Sequence, residues 1–273
     1  MLHFVLTRIN QKWIYRDLHE DYLNYRIDLF LETCHMSLSK QTSSNFKHIL
    51  ICSPTLPEKI MNRMYSISNT ELFLYDNPTQ SQVPGECFAK LFNDRYLSGY
   101  SGVLCTTSLD SDDMIPIDYV EKVSKISEEI KKDANFPILL RSTGFFTLGS
   151  DFFNSVSYDR TPPFFSLLEK NRYNTSVITG HRSIHKKAKD ILDINSPQIM
   201  LKHSANNYMS PRGKKPFKKN VNIDLRKYGI EEEHLFLFLN KKLSNTFKNR
   251  EEGIRKNRRK NNLKFKDMVR NSK

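Results

Sequence analysis

The sequence has no CxxC pair: its four cysteines, Cys34, Cys52, Cys87 and Cys105, stand apart, each inside an apolar or helical pattern. That spacing argues against a zinc knuckle or a disulfide-stapled scaffold, so all four read as reduced core residues. No run approaches the roughly 20 apolar residues that a membrane-spanning helix needs. Arg8 breaks the opening MLHFVLT too early for a secretory leader, and the expected location is the cytoplasm. There is no internal repeat and only one tryptophan among 273 residues. Hydrophobic residues make up a low 38%, yet 18 Phe and 12 Tyr supply enough large apolar surface for a core. The length suits one α/β domain with an appendage, or two small lobes sharing a core.

The formal charge of +13 is unevenly placed. The 43 Lys and Arg and 30 Asp and Glu divide as 13 and 3 within residues 241–273, and as 30 and 27 before them. A nearly neutral body is unlike a nucleic-acid-binding domain, which carries its basic residues on the folded surface. The tail itself reads as a solvated end, as a surface for anionic lipid head groups or a polyanionic acceptor, or as a nucleic-acid arm. Phe265 and Met268, interleaved with Lys264, Lys266 and Arg270, suit peripheral contact with a membrane.

Four β-rich apolar runs come early: Leu2 to Ile9, Phe46 to Cys52, Glu71 to Tyr75 and Gly102 to Thr107. Helical spacing separates them, over residues 17–41, 57–68 and 86–97. This alternation predicts an α/β fold with a mostly parallel sheet flanked by helices. Ligands in such sheets bind beyond the carboxyl ends of the strands. Directly after the fourth run comes Asp110-Ser111-Asp112-Asp113, and a helix is predicted from Pro116 to Lys132. Beyond Phe136 the short runs 137–140, 144–148, 175–179 and 198–201 suggest a mixed sheet edge. Residues 206–220 have loop composition, and a helix is expected over 231–243 ahead of the basic tail.

Three carboxylates within four residues at a strand end can hold a hard cation such as Mg²⁺ or Mn²⁺ against a diphosphate. They can equally be a solvated turn that caps the next helix. The wider pattern points one way. TTSLDSDDMIPIDYVEKV, with the opening LHFVLTRIN, LFLETCHMSLSKQT running into NFKHILIC, PPFFSLLEK, and IMLKHSANNYMS, resembles the rhamnosyltransferase family of GT-A-like glycosyltransferases across residues 2–210.

That resemblance implies a GT-A-like fold, with residues 1–113 as the nucleotide-sugar half and 114–210 as the acceptor half. Residues 211–240 are then a loop and helix and 241–273 a helical basic extension. It implies that Asp110, Asp112 and Asp113 hold the metal and the donor diphosphate, that Thr7 and Arg8 edge the nucleotide, and that His203 closes the donor site on the metal or the diphosphate. The chain departs from the family at Ser108, at Pro162-Pro163-Phe164 and at His203-Ser204-Ala205-Asn206, which leaves the particular sugar open.

An inverting transfer needs a carboxylate to take the acceptor's proton. Asp151, Asp159 and Glu169 are the candidates; Glu169 could equally be an exposed helix residue. Arg8, Arg141 and Lys202 are candidate partners for the diphosphate. His181 resembles His203 in setting and could hold a loop or touch the acceptor. The expected function is a metal-dependent transfer of a sugar, rhamnose by resemblance, from a dTDP-, UDP- or GDP-linked donor to a glycan or glycolipid. The rivals are a nucleotidyltransferase or nuclease with two metals, and a non-enzymatic binding module using the basic tail.

Overall fold

The computed structural model describes residues 1–10, 20–75, 85–130, 134, 136–147, 151–154, 165–170, 184–201, 218–219, 223–233 and 235. Its main sheet has seven strands: β1 (Leu2–Arg8), β2 (Lys47–Cys52), β3 (Glu71–Leu74), β4 (Val103–Ser108), β5 (Ile138–Ser142), β8 (Phe165–Lys170) and β9 (Asp190–Ile194). They lie in the order β3-β2-β1-β4-β8-β5-β9, with β8 alone antiparallel to its neighbours. The mostly parallel, helix-flanked sheet expected of a GT-A-like chain is therefore present, and residues on both sides of position 113 contribute to it.

Strand β1 shows why these runs form central strands. Phe4, Val5 and Leu6 are all buried, because helices cover both faces. Val5, Leu50, Cys105, Leu140 and Leu168 point to one face, where they meet Leu23, Ile27 and Phe30 of α1 (Glu20–Phe30), Ile60 and Met64 of α3 (Glu58–Tyr65), and Tyr119 and Val123 of α5 (Tyr119–Glu129). Phe4, Leu6, Ile49, Leu104 and Leu167 point to the other, against Phe88 and Phe92 of α4 (Gly85–Tyr96). Cys34, Cys52 and Cys105 are buried, as their apolar settings predicted.

The helix after β1 is interrupted. Residues Leu31–His35 form one π turn between α1 and α2 (Met36–Ser39). Thr33 Oγ1 bonds back to the Leu29 carbonyl at 2.6 Å there. The helix predicted from Pro116 begins only at Tyr119. Ile117 explains the delay: its N–H donates to the Lys227 carbonyl at 2.9 Å, and its own carbonyl accepts from Thr42 N–H at 2.7 Å. Both bonds reach remote segments and hold this stretch as a turn, closed by the Tyr119 N–H on the Pro116 carbonyl at 3.0 Å, ahead of the helix.

A second sheet, ordered β10-β6-β7-β11, is built from β6 (Gly144–Thr147), β7 (Asp151–Asn154), β10 (Gln198–Met200) and β11 (Lys218–Lys219). The mixed edge foreseen past Phe136 is thus partly a separate sheet, while FSLLEK is a strand and not a helix. It joins the acidic run through Met114 and Ile199, which exchange N–H···O bonds of 3.0 and 2.9 Å. Leu225, Tyr228, Ile230 and Leu235 pack beneath it against Tyr22, Tyr25 and Leu29 of α1. The short helix α6 (Ile184–Lys187) and a 3-10 helix over Leu225–Tyr228 complete the described elements. Of the helix expected over 231–243 only residues up to 235 are described, and the tail 241–273 lies outside the described residues.

Candidate functional site

Strands β1 and β4 are parallel neighbours with Leu6 opposite Ser108, so both leave the sheet at one end. The Leu109 N–H extends the pairing to the Leu6 carbonyl at 3.2 Å, which sets Asp110 beside Arg8. Arg8 Nη2 lies 3.4 Å from Asp110 Oδ1, with the side chains 19% and 40% exposed. The Asp113 N–H then bonds to the Asp110 carbonyl at 3.1 Å, closing a tight turn. Successive side chains in such a turn diverge, and the three carboxylates do.

Asp112 turns to α1. Arg26 Nη1 donates to its Oδ2 at 3.2 Å and Nη2 to its Oδ1 at 3.5 Å, while Nη2 also reaches Ser111 Oγ at 2.5 Å. Arg26 was not foreseen among the site residues. A signal existed: it stands at helical spacing from Tyr22, Leu23, Leu29 and Phe30, all buried, so it interrupts the apolar face of its own helix. A cation kept on such a face needs a partner close by.

Asp113 turns inward. It is 3% exposed, and its Oδ1 accepts the Leu201 N–H at 3.1 Å. Burial, reinforced by the charges of Asp112 and Asp110, pushes its carboxyl well above the usual carboxylate range. Asp113 thus ties the acidic turn to the chain leaving β10. His203 lies two positions past Leu201, outside the described residues, as do Lys202, His181 and Asp159.

Thr7 is buried on the α1 side of the sheet, its Oγ1 3.0 Å from His48 Nε2 and 3.7 Å from Cys34 Sγ, so its side chain faces the core and not a nucleotide. The neighbouring Arg8, on the opposite face of the strand, is the one that reaches the rim.

Glu169 does not stand near the acidic run. It is 2% exposed on β8, opposite Leu104, whereas Phe165 is the β8 residue opposite Ser108. Four strand residues separate those levels, roughly 13 Å at ~3.3 Å each. Arg141, level with Phe165 on β5, is at the correct sheet end but paired to Asp193, with Nε–Oδ1 at 2.7 Å and Nη2–Oδ2 at 3.1 Å. Asp151 begins β7, level with Thr147 and, one strand further, with Met200. Its backbone is thus about two strand spacings, ~10 Å, from the chain that bonds Asp113.

Among the described residues no three His, Cys, Asp or Glu side chains converge on one point. Asp110 and Asp112 are the two carboxylates not turned into the core. Mg²⁺ and Mn²⁺ take one or two protein carboxylates and complete their shells with phosphate oxygens and water. Asp110 and Asp112 offer that number of carboxylates.

A family profile described as "Putative rhamnosyl transferase" matches residues 10–214 of the chain. Among curated proteins none matches. Among solved structures the chain is similar to TarS residues 1–349 from S. aureus, in complex with UDP-GlcNAc, at 11% identity and a TM-score of 0.47, over 76% of this chain and 60% of that one. It is also similar to a putative nucleotide-diphospho-sugar transferase from Desulfovibrio desulfuricans, at 10% identity and a TM-score of 0.38, over 74% and 82% of the two chains. A nucleoside-diphosphate-sugar pyrophosphorylase from Vibrio cholerae shares 11% identity at a TM-score of 0.36, over 72% and 91%.

Proposed function

The chain belongs to the rhamnosyl transferase family, and on that premise we propose that it transfers a sugar, rhamnose by family, from a nucleotide-diphosphate donor to a hydroxyl of a glycan or glycolipid. What carries the reading is the pair Asp110 and Asp112 at the shared end of β1 and β4, each set against a guanidinium.

Asp110 and Asp112 would hold Mn²⁺ or Mg²⁺, which supplies positive charge to the departing diphosphate. Arg8 adds charge at the same rim. In the inverting displacement proposed here, the acceptor oxygen attacks the anomeric carbon from the face opposite the diphosphate. The carbon–oxygen bond to phosphate breaks, its electron pair leaves with the diphosphate, and the acceptor proton passes to a carboxylate. Of the three carboxylates expected to serve as base, Asp159 lies outside the described residues and Glu169 stands four strand residues from the β8 position opposite Ser108, so this reading favours Asp151, in the sheet that adjoins the acidic turn. His203 would meet the donor from the chain past Leu201. Among the described residues no helix is long and apolar enough to cross a membrane; a cytoplasmic location, with residues 241–273 resting on anionic lipid, completes the proposal.

The test is a thermal-shift screen of UDP, dTDP, GDP and CMP with and without Mn²⁺, on the native chain and on Asp110→Asn. A ligand that binds the folded state raises the melting temperature. The proposal expects one nucleoside diphosphate to stabilise the native chain only with metal, and Asp110→Asn to lose the shift. No shift with any nucleotide would refute it.

A further inference from the structure

Two ion pairs meet at the acidic turn, and they come from different elements: Arg8 on β1 faces Asp110, and Arg26 on α1 faces Asp112 and Ser111. We propose that Arg26 is a donor-phosphate-binding residue held in reserve, occupying Asp112 until a divalent cation displaces it, and then turning its guanidinium to the diphosphate. The proposal rests on the donor-site reading above and adds to it a residue and an order of events.

The carboxylates of Asp110 and Asp112 each face a guanidinium, that of Arg8 and that of Arg26. A divalent cation entering alone would leave the set with an excess of two positive charges, and the diphosphate of a nucleotide sugar entering alone would leave two negative ones. Both together restore balance. Each ligand therefore favours the other, and linkage makes that coupling reciprocal, on the order of tenfold or more.

Arg26 is suited to the exchange. Its side chain is 14% exposed and that of Asp112 is 13%, so their attraction is little screened, while Asp110 in the same turn is 40% exposed. Its fork is already divided between a carboxylate and a hydroxyl, a geometry that bidentate phosphate oxygens also satisfy. The helix beneath is anchored by Leu23 and Ile27 in the core, so only the end of the side chain has to move. Asp113 takes no part, being turned to the Leu201 N–H.

The experiment compares the native chain with Arg26→Gln in two calorimetric titrations, Mn²⁺ alone and then UDP, dTDP or GDP at saturating Mn²⁺. With its competitor gone, the variant is expected to bind Mn²⁺ alone about tenfold more tightly, and the diphosphate that the native chain selects about tenfold more weakly. A variant that binds Mn²⁺ no more tightly and keeps the native diphosphate affinity overturns the proposal. If Arg26→Gln does not fold, Arg26→Lys replaces it. Losing the fork should then weaken the diphosphate several-fold, and an unchanged affinity again overturns the proposal. A native chain that binds neither Mn²⁺ nor any of the three diphosphates fails at the donor-site reading instead, and takes this inference with it.

Discussion

Arg26 and Asp112 stand 86 positions apart in the chain and meet through contacts of 3.2 and 3.5 Å, joining the first helix to the loop after β4. Because both side chains are largely buried, removing one strands a charge in a poorly solvated place. Asp112→Ala is expected to cost about 2 kcal/mol, lowering the melting temperature by about 5 °C before any ligand is added. Calorimetry on the ligand-free chain checks this; a change under ~1 °C would mean that the pair adds no stability. Ligand shifts of Asp112 variants must accordingly be read against their own baselines.

Asp113→Asn separates a structural aspartate from a metal ligand. The amide keeps an oxygen for the Leu201 N–H and removes the cost of a buried carboxylate. Melting near pH 7.5 should be unchanged or higher, and metal-dependent nucleotide binding should persist within about threefold. Loss of that binding in a chain that still melts cooperatively would return Asp113 to the ligand set.

Two of the three carboxylates expected as candidates for the base, Glu169 and Asp151, lie in described strands, and the sheet registers set them apart. Glu169→Gln should leave kcat within about threefold of the native value, whereas Asp151→Asn should lower it by about 100-fold with little change in donor affinity. Steady-state kinetics of sugar transfer decides. The reverse pattern would mean that the acceptor reaches the far end of β8.

Burial holds His3 and His48 down to about 3, from an ordinary value of 6.5. The unfolded chain therefore takes up these protons first, so stability is whole above pH 6.5 and falls as acid is added. At pH 5 each histidine costs about 2 kcal/mol. The raised carboxyl of Asp113 acts in the opposite sense, because its burial cost is relieved as the pH falls from its raised value toward 3.8. Melting curves from pH 8 to 4.5 should thus fall more steeply for Asp113→Asn than for the native chain, and less steeply for His48→Gln. Parallel curves for all three would contradict the assignment.

The first four strands were legible because each is a short apolar run set off by stretches of helical spacing, although β4 pairs with β1 and not with β3, its neighbour in sequence. Strand β8 was not: FSLLEK has equal claims to helix and strand, and only pairing with Val103 to Ser108 decides it. The late start of α5 was hidden for the same reason, since the bonds that hold Ile117 outside the helix come from Thr42 and Lys227.

The site divides likewise. By itself the sequence determined that Asp110, Asp112 and Asp113 follow a core strand, and that Arg8 ends another, because strand ends are local features. Only the tertiary structure decided which way each carboxylate faces. A tight turn sends neighbouring side chains in different directions, and the partner waiting in each is remote: Arg8 for Asp110, Arg26 for Asp112, the Leu201 amide for Asp113. The same holds for Glu169, whose family block is local but whose height in the sheet is set by antiparallel register to β4. Residue type and spacing record what a segment can do; the pairing of distant segments fixes which of those possibilities face one another.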